Sequence, residues 1–242
     1  MKQFIKSSLQ KIPYAYTVAE YLMRKYRYYK LKRMSAKDVF SHIYKSNSWG
    51  DAESVSGRGS NLEETKILVE KLSVLLKKYR ISSVLDIPCG DFHWMKNINL
   101  EGIEYIGADI VLEIIEQNKK YEKNNVRFEQ LDLIKDALPV VDLIIVRDCL
   151  VHLSYDDIFM ALGNICKSDA QYLLTTTFNE RAKNNDIATG QWRTLNLQIP
   201  PFDLPEPQII VNEEHPGKEW VDKSLGLWKV VDIKNSLTRH PT

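Results

Sequence analysis

Apolar and polar positions along this chain alternate between two periods from residue 60 onward. Leu62, Ile67, Leu68, Leu72, Leu75 and Leu76 recur near helical spacing as far as Tyr79, and Ser60 followed three residues later by Glu63 is a capping-box signature. A helix is predicted there. Ser83–Ile87 is then a short β-rich run, broken by Pro88-Cys89-Gly90 ahead of a short helix over Phe92–Asn97. The same rhythm predicts further strands over Tyr105–Asp109, Val126–Leu131, Asp142–Val146 and Gln171–Phe178, with helices over Val111–Glu122 and Tyr155–Lys167 between them. Strands that are apolar on both faces and alternate with helices belong to a parallel sheet covered on both sides.

The rhythm stops after Phe178. Residues 179–207 are polar and carry Pro200, Pro201, Pro205 and Pro207, and an irregular stretch of that length inside a domain is usually functional. A substrate lid is expected over 179–223. Pro207–Asn212 and Leu225–Ile233 read as two closing strands.

Composition adds one asymmetry. With 242 residues, 44% hydrophobic and 27% charged, the chain is an ordinary globular protein of one embellished domain. Its net charge of +1 argues against a dedicated nucleic-acid binder. Residues 1–37, however, hold ten bases against the single acid Glu20, a net +9, which leaves 23 bases and 31 acids, a net −8, in residues 38–242. This first segment also carries seven aromatics and reads as a basic helix beyond Pro13. Such a helix either packs on the body through its tyrosines or lies on an anionic membrane or polyanionic partner.

The longest uncharged run, Ala170–Asn179, has 10 residues, well short of the ~20 that a spanning helix needs. The N-terminus lacks the apolar core and small-residue cleavage site of a signal peptide. Cys89, Cys149 and Cys166 are odd in number and lack metal-ligand spacing, so neither zinc nor disulfides are expected. A cytoplasmic protein is expected, peripheral to the inner face of a membrane if the basic segment acts there.

In an open α/β sheet the ligand sits beyond the carboxyl ends of the strands, where strand order reverses. Asp86, Asp109, Asp132 and Arg147-Asp148 stand at four such ends. Taken singly, each aspartate is equally well a turn-former or helix cap; their ordered recurrence is what points to a ligand. A nicotinamide-dependent reductase needs G-x-G-x-x-G, with three glycines in separate roles, and this loop supplies only Gly90.

Val84-Leu85-Asp86-Ile87-Pro88-Cys89-Gly90-Asp91 resembles the first motif of class I S-adenosylmethionine-dependent methyltransferases, with Pro88 and Phe92 in place of two of the usual glycines. Gly107-Ala108-Asp109, Leu131-Asp132-Leu133 and Asp142 through Arg147-Asp148-Cys149-Leu150-Val151-His152-Leu153 follow at the family's usual distances, so that the resemblance covers about residues 60–178. It implies a Rossmann-like fold with a mostly parallel seven-stranded sheet, its last strand antiparallel. The domain runs over 38–242 with its cofactor-binding core at 61–178. The cofactor implied is S-adenosyl-L-methionine, held by Asp86, Pro88, Cys89, Gly90, Asp109, Ile110, Asp132, Leu133, Arg147 and Arg58. Asp109 would accept from the ribose hydroxyls, Asp132 from the adenine amino group, and Asp86 would organise the loop and the cofactor's ammonium. No metal is implied.

Ser48–Ser60, with Trp49 and with Arg58 between two glycines, is similar to a bacterial methyltransferase subgroup associated with surface-polysaccharide biosynthesis. The segment either caps the cofactor site, with Arg58 on a carboxylate or phosphate, or is a linker and helix cap. Transfer to a hydroxyl needs a proton acceptor, for which His152 and Asp148 lead and His93 and His215 follow. His152 has the alternative of capping the next helix. Trp49 and Trp192 are expected to touch substrate, Trp192 by stacking on a sugar unless it is a core anchor, and Arg193 to bind a phosphate. The function these residues suggest is O-methylation of a sugar or sugar-linked phosphoryl group in a surface-glycan precursor. A different small-molecule or lipid-linked acceptor, or a non-catalytic scaffold, is the alternative.

Overall fold

A computed structural model describes residues 13–215 and 217–239. Lys2, Phe4, Lys6 and Lys11 of the basic segment lie outside the described residues. The segment's remainder forms α1 (Pro13–Lys32), with proline in the first turn where its missing N–H costs nothing. A second helix, α2 (Ala36–Lys45), is capped by the Ser35 side chain, which accepts from Asp38 N, and it spans the expected boundary at 37/38.

The long amphipathic helix α3 (Leu62–Lys78) buries Leu68, Leu72, Leu75 and Leu76 along one face. Its cap is Asn61 rather than Ser60: Asn61 Oδ1 accepts from Glu64 N at 2.9 Å, while Ser60 closes a 3-10 turn over Arg58–Ser60. The βα rhythm follows as β1 (Ser83–Asp86), β2 (Glu104–Asp109), α4 (Leu112–Asn118), β3 (Val126–Gln130), β4 (Leu143–Val146), α5 (Tyr155–Ile165) and β5 (Tyr172–Phe178). Two expected helices are shorter and tighter than their patterns suggest. Phe92–Asn97 is reduced to a 3-10 turn over Met95–Asn97, and Val111–Glu122 divides into α4 and a 3-10 turn over Lys119–Tyr121.

The chain closes with β6 (Ile209–Asn212), β7 (Lys223–Lys229) and α6 (Val230–Arg239). The strand expected over Leu225–Ile233 therefore ends at Lys229. Val230 and Ile233 are buried and Leu237 packs beside them, a helical spacing that puts this turn against the sheet, whereas two consecutive valines read locally as β.

All strands join one sheet in the order β3-β2-β1-β4-β5-β7-β6. Neighbours are parallel from β3 through β5, and β7 runs antiparallel to both β5 and β6. Successive strand residues feed opposite faces: Leu143 and Ile145 pack with α3, while Ile144 and Val146 pack with α5 and α6. Strand order reverses between β1 and β4, which opens a crevice beyond their carboxyl ends.

Within the range 179–223 where a lid is expected, residues 179–207 pack largely into the body, while His215, Trp220 and Lys223 line the crevice. Ala188, Leu195, Leu197, Phe202 and Leu204 are buried, and Asn184 and Asn196 exchange hydrogen bonds across the segment, with Asn184 Nδ2 donating to Asn196 O at 2.8 Å and Asn196 N donating back to Asn184 Oδ1 at 2.9 Å. Of residues 179–207, the stretch around 186–192 faces the crevice. Among the described residues no helix is long and apolar enough to cross a membrane.

Candidate functional site

The crevice is a cavity of about 1070 Å³, the size of a small-molecule site. Asp86, Pro88, Cys89, Gly90, Asp109, Ile110, Asp132, Leu133, Arg147, Asp148 and His152 all line it, as do Trp49, Arg58 and Trp192. Of the residues expected at the site, Arg193 and the secondary candidate His93 are missing.

One wall is made of strand ends. Asp86 is buried at the end of β1, where the Tyr105 hydroxyl on β2 donates to Oδ2 at 2.7 Å. Burial pushes its carboxyl up to about 7, against the opposing pull of that hydroxyl and Arg147. Asp109, also buried, accepts from Val111 N at 2.9 Å on one oxygen and from Gly90 N at 3.3 Å on the other. Burial raises it to about 6, offset in part by those backbone donors. Each carboxylate oxygen keeps a free lone pair for a ligand hydroxyl. Asp132 Oδ1 accepts from Ile134 N at 2.9 Å.

Between these acids the loop after β1 bends at Gly90. Its φ is +53°, and a Cβ there would stand 2.1 Å from Ser56 Oγ. Both the backbone conformation and the close approach demand glycine. Asp91 binds this loop to the segment before α3, accepting from Ser54 Oγ and Val55 N, each at 3.1 Å. Ser48–Ser60 is thus held against the cavity. Arg58 sits at the rim with its side chain 73% exposed, 3.3 Å from Glu64 Oε1.

The opposite wall is assembled from distant segments. Arg147 follows β4, donates to Glu213 Oε2 at 2.6 Å and to Gly59 O at 2.8 Å, and stacks over the Trp94 ring. Burial works against its charge, but Glu213 and Asp148 more than compensate and raise its pKa. Lys223 on β7 lies 2.7 Å from Asp148 Oδ2 and 3.3 Å from Glu213 Oε2, completing a quartet of two cations and two anions. Burial disfavours the Asp148 charge, yet Lys223 and Arg147 hold the carboxyl well below the carboxylate range. Asp148 is a counter-ion there and a poor proton acceptor.

His152 ends a 3-10 turn over Leu150–His152. It does not cap the following helix, whose N-terminus is capped by Ser154 through Asp157 N. His152 Nδ1 lies 2.9 Å from Gln191 O, and because a carbonyl only accepts, Nδ1 carries the proton. Nε2 is thereby left with its lone pair. Burial lowers the pKa of His152, with the Gln191 hydrogen bond and Asp148 pulling the other way, so the imidazole is neutral at pH 7. The Trp49 ring lies tilted beside it, 5.2 Å between centroids.

Arg193 corrects the sequence expectation. It is buried, and its guanidinium donates to Leu150 O at 2.8 Å and Leu153 O at 2.9 Å, satisfying the carbonyls of the turn that bears His152. The neighbouring backbone adds Gly190 N to His152 O at 2.8 Å and Arg193 N to Val151 O at 3.1 Å. Nη1 and Nη2 are thus committed to this turn, the buried Nε–H has no partner, and the side chain does not line the cavity where a phosphate would enter. His93 is outside the cavity too, 2.7 Å from Glu53 Oε1, whereas His215 lines it beside Glu64.

Residues without a local sequence signal complete the site. Glu213, Lys223 and Trp220 come from the antiparallel edge, and Trp220 meets Trp192 at 5.8 Å between centroids. Tyr21, Arg24, Lys25, Arg27 and Tyr28 of α1 form the outer rim. Their only hint in the sequence was the density of bases and tyrosines before residue 37.

Solved structures share this architecture. The methyltransferase domain of bacterial CtHen1 aligns with a TM-score of 0.53 at 12% identity, over 70% of this chain and 100% of that one. PigF with SAH aligns at 0.52 and 14% identity, over 68% and 55% of the respective chains. Magnesium protoporphyrin IX methyltransferase from Synechocystis PCC 6803 with bound SAM aligns at 0.50 and 14%, over 63% and 81%. Neither a family model nor a curated protein matches the sequence. At such identities the likeness establishes the fold, which is the Rossmann-like class I methyltransferase fold.

Proposed function

We propose that the protein is an S-adenosyl-L-methionine-dependent methyltransferase acting on an oxygen of a sugar or sugar-linked phosphoryl acceptor, as in the assembly of a bacterial surface glycan. The observation that carries the reading is the convergence of Asp86, Gly90, Asp109 and Asp132 on one cavity at the reversal of strand order. The site fits the cofactor: Gly90 lets the loop after β1 close against Ser56 along the cavity, Asp109 retains acceptor capacity, and a cationic sulfonium suits an acid-lined wall.

When bound, S-adenosyl-L-methionine supplies an electrophilic methyl group. His152 does the chain's part of the chemistry, accepting the acceptor hydroxyl's proton at Nε2 while Gln191 O holds Nδ1–H and sets the ring. Arg193 keeps that turn in shape. The Trp49, Trp192 and Trp220 rings offer stacking faces for a sugar, and Arg58, Arg24 and Arg27 at the rim favour an anionic acceptor such as a sugar phosphate.

Calorimetry with S-adenosyl-L-methionine tests the cofactor. Asp109→Ala removes a charged acceptor from ligand hydroxyls, and a loss of affinity on the order of 10–100-fold is expected. Absence of binding heat from the native protein sinks the reading, and unchanged affinity in Asp109→Ala removes Asp109 from it.

A further inference from the structure

Helix α1 has two distinct faces. Tyr21, Arg24, Lys25, Arg27 and Tyr28 occupy one arc and rim the cavity. Val18, Leu22, Tyr26 and Tyr29 recur at i, i+4, i+8 and i+11 on the other, and all are exposed, Leu22 at 57% and Tyr26 at 72%. Met23 extends the same apolar stripe and is 61% exposed. Lys30 and Arg33 fall on this outward arc as well, where with Tyr26, Tyr29 and Met34 they enclose a shallow groove. Large apolar side chains in such a row, facing away from the body, are uncommon on a soluble surface and mark an interaction site.

Charge selects the occupant. The outward stripe is bordered by bases, and residues 1–37 carry a net +9 against −8 for the rest of the chain, so an anionic surface attracts this helix while repelling the body beneath it. Tyrosines and leucines between lysines and arginines are the composition of a helix lying in the plane of a membrane interface. A second copy of this chain fits less well, because two such helices would bring like charges together.

We propose that α1 docks on an anionic bilayer through Val18, Leu22, Met23, Tyr26 and Tyr29, with Lys30 and Arg33 on lipid phosphates, and so holds the cavity rim at the membrane. On the proposed function, this places the acceptor among lipid-linked glycan precursors. The docking itself stands apart from that reading.

Co-sedimentation of the full chain with phosphatidylcholine vesicles, with and without 30% phosphatidylglycerol, provides the test. Binding is expected only with the anionic lipid, and at least about tenfold weaker in 0.5 M salt. The variant Leu22→Ser/Tyr26→Ser/Tyr29→Ser, and separately Lys30→Glu/Arg33→Glu, each weakens it at least about tenfold while S-adenosyl-L-methionine binding is unchanged. No binding to anionic vesicles, equal binding by both variants and the native chain, or self-association through this face without vesicle binding overturns the proposal. Vesicle binding that persists where the cofactor gives no heat overturns the methyltransferase reading and leaves the docking intact.

Discussion

The two walls of the cavity are built by different means. On the strand-end wall the acids are held by groups of the same or the adjacent βα unit: Asp109 by Val111 N and Gly90 N, Asp132 by Ile134 N, and Asp86 by the Tyr105 hydroxyl of the neighbouring strand. On the opposite wall Arg147 meets Glu213 across 66 residues of chain, Asp148 meets Lys223 across 75, and His152 meets Gln191 across 39. The first wall is local and repeated; the second exists only because the sheet closes through β5, β7 and β6. Changes on the first wall should therefore alter ligand binding with little damage to the fold, whereas changes on the second should reach stability or turnover.

Glu213→Ala should break the second wall most severely. It leaves Arg147 buried without its main partner and Lys223 half-compensated, and loss of one member of a buried ion pair costs about 3–5 kcal/mol. A large drop in the urea midpoint is the expected result; an unchanged midpoint would show that the quartet does not hold this wall together. His152→Ala should lower turnover by about 10²–10⁴, read as S-adenosylhomocysteine released with lipid-linked sugar phosphates as acceptors, and leave cofactor affinity unaltered. Normal turnover in that variant would move the proton acceptor elsewhere.

The first wall should respond to pH. Asp109 has its carboxyl raised to about 6 by burial, and its ionised form is the one that accepts from hydroxyls and favours a cation. Protonation therefore opposes binding, so the Asp109 contribution is nearly complete above pH 7, falls through pH 6 and leaves affinity about tenfold weaker at pH 5. Asp86, raised to about 7, starts the same decline at higher pH. Calorimetric affinity that stays flat from pH 5 to 8 would detach these acids from the ligand.

Legibility in the sequence followed the same division. The strand Leu143–Val146 was readable because each of its residues is buried and short apolar runs between helical patterns have few other uses. Gly90 was readable as the one glycine of its loop. By contrast, Arg193 looked like an anion ligand because its neighbours in sequence are polar and aromatic, and only its burial against Leu150 O and Leu153 O reveals a structural role. Val230–Ile233 reads as the end of a strand because β-branched residues favour one locally, and packing against α5 decides for a helix.

The sequence by itself determined the parallel α/β core, the acids at the strand ends and the charge asymmetry of the first 37 residues. These depend on periodicity, residue type and short spacing, which a linear chain displays openly. The tertiary structure alone decided that Lys223 and Glu213 neutralise Arg147 and Asp148, that Gln191 O sets the tautomer of His152, and that one face of α1 rims the cavity while the other stands open. Charge pairing, burial and proton placement depend on through-space distance, and closure of the sheet brings together residues whose separation along the chain carries no trace of it.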